Sequence, residues 1–159
     1  MSADEKWFDP NAAQPVRRAA RTALIAGLVA LVVPNMIQVA EYHSIITALL
    51  DDLRLLGDHP DLLSTTILDV ARLGLVLTTI VLAARWLNYT RGRPRAWLRI
   101  GVGVATVLVA AFAILAMIPT TIMLRVFPLP LGDLAAITAG AFLIHAGRVT
   151  PLPLTQGSP

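Results

Sequence analysis

The sequence predicts an all-α integral membrane protein with four transmembrane helices and an amphipathic helix outside the membrane between the first and second. Three observations carry this prediction. Of the 159 residues, 56% are hydrophobic and only 14% are charged; an ordinary soluble domain carries about 25% charged residues, so too little polar surface is present to coat a water-soluble globule. The apolar residues fall in long uncharged runs, and the mean hydropathy is +0.70. Between those runs the flanking charge changes sign, arginine-rich on one side and acidic on the other. The length allows one domain.

Residues 1–21 read as a polar cytoplasmic tail with Pro10 and Pro15, closed by Arg17, Arg18 and Arg21 at the membrane surface. Residues 22–40 are nineteen uncharged positions; at 1.5 Å per residue they cover about 28 Å, close to the thickness of a bilayer's hydrocarbon core. An arginine cluster before an apolar run also fits a signal peptide, but a small-x-small cleavage site is missing before Glu41, so this span reads as an uncleaved anchor. The segment 41–56 follows, with Ile45, Leu49, Leu53 and Leu56 at helical spacing and Asp51, Asp52 and Arg54 assigned to the opposite side. It is expected to lie on the membrane surface, to cap its own bundle or to face a partner, and Gly57 stops it.

Only twelve uncharged residues separate Arg72 from Arg85. Twelve residues reach about 18 Å, too short to cross, so the second span must run over about 62–84 and carry Asp69 and Arg72 inside it. The stretch 85–99 holds Arg85, Arg91, Arg93, Arg95 and Arg99 without an acid, and its Trp86, Tyr89 and Trp97 fit an interfacial aromatic belt. Residues 100–124 give the longest uncharged run, with Pro119 near its far end. A proline-rich turn leads to Asp133 and a last helix over about 131–148, rich in alanine and glycine, which reads as a span rather than a re-entrant loop. The tail 150–159 is polar and punctuated by proline; its composition favours disorder.

Ten of the thirteen Lys and Arg residues flank one side of these spans and only Arg54 and Arg125 the other. The bias places both termini and the 85–99 turn in the cytoplasm of a bacterial or phage inner-membrane protein, with 41–56 outside. The arginines at 17, 18, 21, 85, 91, 93, 95 and 99 then serve as topology signals facing lipid headgroups. Their position beside apolar spans argues against nucleic acid as partner.

Asp69 and Arg72, at i and i+3, share a helix face and can pair. A charge at membrane depth costs about 2.5–3.5 kcal/mol on insertion scales, so each needs a partner or a role. Counted from the cytoplasmic arginines, Asn35 lies level with Arg72 and Gln38 with Asp69, which predicts an intramembrane polar cluster of Asn35, Gln38, Asp69 and Arg72 between the first two spans. Such a cluster either clamps two helices together or lines a solute or proton path.

Nothing else in the chain has the spacing of a catalytic or cofactor site. Cysteine is absent, which removes thiolate metal sites, iron–sulfur clusters and thiol catalysis. His43, His59 and His145 stand in no ligand pattern such as His-Glu-x-x-His, none of the four serines sits in a Gly-x-Ser-x-Gly elbow, and Gly101-x-Gly103 is too short for a phosphate loop. No enzyme activity, metal or cofactor is therefore expected. The external amphipathic helix and the small-residue helix faces point to a non-catalytic accessory or structural subunit of a larger membrane complex. A self-assembling, holin-like pore or small-solute permeability protein is the alternative, and the partner is accordingly another membrane protein or a second copy of the chain.

Overall fold

The computed structural model describes residues 10–37, 42–87, 96–124 and 129–149. These residues are helical almost throughout: α1 Pro10–Met36, α2 Ile45–Leu55, a 3-10 turn Pro60–Leu62, α3 Leu63–Leu87, α4 Ala96–Leu124 and α5 Leu131–Arg148. Three segments, Gln14–Met36, Pro60–Leu87 and Trp97–Pro119, are long and apolar enough to cross a membrane. Helix α5 falls outside that set, because its eighteen residues include Asp133, His145 and Arg148.

Helices α1, α3, α4 and α5 form a ring in which each packs on its two chain or ring neighbours, α1 on α3 and α5, and α4 on α3 and α5. Three core layers fix their directions. Val16 and Ala20 meet Trp86 and Val149 at one end. Ala23, Ala83 and Leu143 meet Val102 in the middle. Ala30, Val76, Ala110 and Ala136 meet Ile45 at the other end. Residue numbers rise through these layers in α1 and α4 and fall in α3 and α5, so every neighbouring pair is antiparallel. The first end carries Arg17, Arg18, Arg21, Arg85, Arg99 and Arg148; the second carries Asp51, Asp52, Asp58, Asp61 and Asp133. We refer to them as the arginine end and the acidic end.

The limits of α1, α2 (45–55 against 41–56) and α4 (from Ala96 against 100) differ from the sequence reading, and so does the inward face of α2. Helix α1 begins at Pro10, inside the segment read as a tail, and ends at Met36 rather than residue 40. Its early turns are amphipathic, with Val16, Ala19 and Ala20 buried while Arg17, Arg18 and Arg21 stay exposed, so burial of one apolar stripe extends the helix beyond the uncharged run. The inward face of α2 is centred on Ile45 and Leu49, both buried, whereas Leu53 is 49% exposed and Leu56 half-buried. Asp52, expected on the outer side, is half-buried with a buried Oδ2. Position 52 lies seven residues after Ile45, only about 20° from it around an α-helix, and so it turns inward.

Small residues set the helix spacing. Alanines 19, 20, 23, 26 and 30 of α1 and Ala136, Ala139, Gly140, Ala146 and Gly147 of α5 are all buried. At the α4–α5 crossing two glycines meet: a Cβ on Gly140 would stand 2.8 Å from the Gly103 carbonyl oxygen, and one on Gly103 would stand 2.7 Å from that of Gly140. Backbones thus touch where lipid-like apolar side chains alone give no drive to associate, and van der Waals contact supplies it. One layer deeper, the hydroxyls of Thr79 and Thr106 hydrogen-bond across α3 and α4 at 3.1 Å. Near the acidic end Pro34 has no N–H to offer the Ala30 carbonyl; Gly132 packs against that oxygen, where a Cβ would come within 3.3 Å.

Gly140→Val is therefore expected to lower the melting temperature in mild detergent substantially, because the obstacle is backbone that cannot yield. Gly101→Ala, at a helical site with nothing within 4 Å, should be neutral or raise stability by up to about 1 kcal/mol. Equal effects of the two changes would rule out the close crossing.

Candidate functional site

Three buried charged residues, Asp69, Arg72 and Asp133, gather where α3, α5 and the chain before α2 meet, towards the acidic end. Arg72 sits in the third turn of α3, on the face shared by Asp69, Val76 and Thr79, all buried. Asp133 is the third residue of α5 and fully buried; a carboxylate in a helix's first turn also meets the positive end of its dipole. Arg72 reaches across to it with three hydrogen bonds: Nε donates to Oδ1 at 3.1 Å, and Nη2 donates to Oδ1 at 2.6 Å and Oδ2 at 2.7 Å. Its Nη1 donates to Asp69 Oδ1 on the same helix. The forked guanidinium matches the carboxylate's two oxygens, a geometry that lysine cannot reproduce.

The short segment 42–44 closes the cluster. The His43 backbone N–H donates to the Leu129 carbonyl at 3.1 Å, and Tyr42 and Leu129 form a single parallel bridge. This docking sets His43 Nδ1 3.7 Å from Asp133 Oδ2, the imidazole being 24% exposed. Nδ1 itself is buried without a hydrogen-bond partner among the described residues. Ile45, fully buried, caps the cluster from above. The space bounded by Ile45, Arg72, Val76, Thr106, Ala110, Asp133 and Ala136 has no room for a water molecule.

Asp69 and Arg72 are brought together, but Asn35 is not among their partners. Its Oδ1 accepts from Ser44 Oγ at 2.8 Å and Thr47 Oγ1 at 3.2 Å, while its Nδ2 donates to the Leu31 carbonyl at 2.5 Å. Asn35 thus ties the end of α1 to the start of α2, where Ser44 is also the N-cap, accepting from the Thr47 N–H at 3.4 Å. The correction has a simple cause. Level matching counted residues along straight helices and left out the chain between them, whose own unsatisfied groups at the α2 N-terminus are nearer to Asn35. Gln38 lies outside the described residues, as do Arg91, Arg93 and Arg95.

Asp133 is the residue the sequence reading missed as a partner. It is one of only two acids after residue 61, the other being Asp69, and an arginine buried in an apolar helix calls for exactly such a carboxylate on a neighbour. Among the basic residues, Arg17, Arg18, Arg21 and Arg85 are exposed. Arg99, expected at lipid headgroups, is instead buried, its guanidinium carbon over the Trp86 ring. Trp86 is buried with it, so the pair belongs to the core of the arginine end through a cation–π contact, while Trp97 is 71% exposed. No protein family, curated protein or solved structure matches the chain.

Arg72→Leu alone leaves two carboxylates buried without a cation and is expected to cost about 3–5 kcal/mol, whereas replacing Asp69, Arg72 and Asp133 together by leucine should recover much of that loss. Asp133→Asn should destabilise more than Asp69→Asn, since Asp133 takes three of the four bonds. Thermal unfolding in detergent reads both comparisons; equal losses at 69 and 133 would refute the ranking.

Proposed function

We propose that this chain is a non-catalytic structural subunit of a larger assembly in the cytoplasmic membrane. One observation carries the reading: the guanidinium of Arg72 makes four hydrogen bonds to two carboxylates, and the space beside it has no room for a water molecule. A solute or proton path needs an open, hydrated site, and a buried ion pair with no room for water beside it acts instead as a clamp that fixes the relative positions of helices. The same closure weighs against a permeability function of the single chain.

In this reading α1, α3, α4 and α5 all cross the bilayer. Helix α5 contributes Ala136 and Leu143 to two of the core layers, and Val149, just past its end, packs on the third, which supports treating it as a fourth span despite its polar residues. The arginine end faces the cytoplasm by the positive-inside bias, which puts both termini there and α2 outside. Outside, α2 turns Leu50 and Leu53 to its surroundings, both about half exposed, beside the exposed charges Asp51 and Arg54. An apolar edge rimmed by charge suits docking of another membrane protein.

Reporter fusions near Gly57 and at Gln156 are expected to report outside and cytoplasm respectively; an external Gln156 fusion would exclude four spans. Purification in mild detergent should recover a stoichiometric membrane-protein partner. Leu50→Asp with Leu53→Asp should release it without lowering the melting temperature of the chain. Liposomes reconstituted with the purified chain should retain trapped dye, and dye release would overturn the subunit reading in favour of a self-assembled pore.

A further inference from the structure

A second feature lies at the opposite end of the bundle, away from the clamp. Between α1 and α5 a cavity of about 300 Å³ opens laterally, lined by Gln14, Pro15, Arg18, Thr22, Phe142 and His145. No carboxylate lines it, and among the described residues every acid lies elsewhere, on α2, the turn after it, α3 or α5 near the acidic end. The Thr22 hydroxyl donates to the Arg18 carbonyl at 3.1 Å, so the donors left for a guest are the Arg18 guanidinium, the His145 ring and the Gln14 amide. A guanidinium, an imidazole and a neutral amide, all able to donate, around one concavity without a carboxylate make an anion site, with phosphate geometry the natural match for arginine.

We propose that this cavity holds the phosphate headgroup of an anionic phospholipid. A membrane lipid is favoured over free phosphate by what borders the cavity. Moving toward the acidic end along the same faces, α1 presents Ile25, about one turn past Thr22, and Val32, about three turns past it, and α5 presents Leu134, about two turns from Phe142; each is between 44% and 52% exposed, with Phe142 at the junction. A charged mouth that continues into an exposed apolar strip between two helices is complementary to a headgroup followed by an acyl chain, and basic pockets between helices on the cytoplasmic side are where such headgroups are bound. The inference rests on the membrane-spanning part of the proposed function and not on the subunit role, so its test needs no partner.

The full-length chain in detergent micelles is titrated with phosphatidylglycerol and, in parallel, with phosphatidylcholine and inorganic phosphate, bound lipid being counted by native mass spectrometry. One tightly retained phosphatidylglycerol is expected, with neither phosphatidylcholine nor phosphate competing at equal concentration. Arg18→Gln and His145→Gln should each weaken retention by about tenfold, the scale of a lost charge-assisted hydrogen bond, and Arg18→Lys should restore much of it. Arg85→Gln, exposed on α3 at the same end, should have no effect. Both test residues are on the surface, so folding is preserved, and if Arg18→Gln nonetheless fails to fold, His145→Gln gives the same comparison. Equal weakening by Arg85→Gln would mean diffuse charge attraction, equal retention of phosphatidylcholine would mean an unselective lipid groove, and displacement by phosphate would mean a free-anion site; each overturns the proposal.

Discussion

The bundle is organised around one arginine that must not be left alone. Helices α3 and α5 face each other across the ring instead of lying side by side, and their mutual contact is sparse. Arg72 crosses that diagonal to Asp133. A buried ion pair contributes little net stability against apolar isosteres, but an unpaired member is heavily penalised, so the pair acts mainly by excluding arrangements in which the two residues are apart. A single register of α5 against α3 satisfies it. The alanine and glycine faces of α1 and α5 complement this: they let the helices come close without dictating where along their length, and the ion pair removes that freedom.

The segment before α2 completes the enclosure. Its backbone bond from His43 to Leu129, the Asn35 amide binding Ser44 and Thr47, and Ile45 on top together convert an open end of the bundle into a lid. Inside, the site becomes dry, which strengthens every electrostatic interaction it contains. At the other end the corresponding role falls to Arg99 over Trp86, a cation closed over by an aromatic face in place of a carboxylate. Each end of the molecule thus hides one arginine, by different chemistry.

The long helices were legible as segments: α1 and α4 carry long uncharged runs, a signal that tertiary context seldom overrides, and α3, with only twelve uncharged residues, followed from the length a crossing needs, whereas the start of α1 at Pro10 was not legible. The pairing of Asp69 with Arg72 followed from their spacing alone. What escaped was non-local. Nothing in the order of residues indicates that α5 returns beside α1, and so Asp133 could not be assigned to Arg72 by counting along adjacent spans. Arg99 misled for a related reason: flanking arginines are exposed by default, and only the arrival of Trp86 from the preceding helix made burial affordable. Asp52 was misplaced because a short amphipathic helix with leucines on nearly every side defines its inner face poorly.

The distance in sequence between Arg72 and Asp133 also has a consequence in time. Sixty-one residues separate them, so at synthesis rates of about 5–20 residues per second the arginine emerges roughly 3–12 s before its main counterion. During that interval Asp69 is the only one of its two partners already made, and the ring lacks the helix that joins α1 to α4. A chain interrupted before α5 therefore presents a half-satisfied charge on an apolar helix, a state distinct from any the finished molecule adopts. Formation of α5 is what turns a liability of the nascent chain into its lock, and it makes the quality of the product depend on a segment translated after the other three long helices.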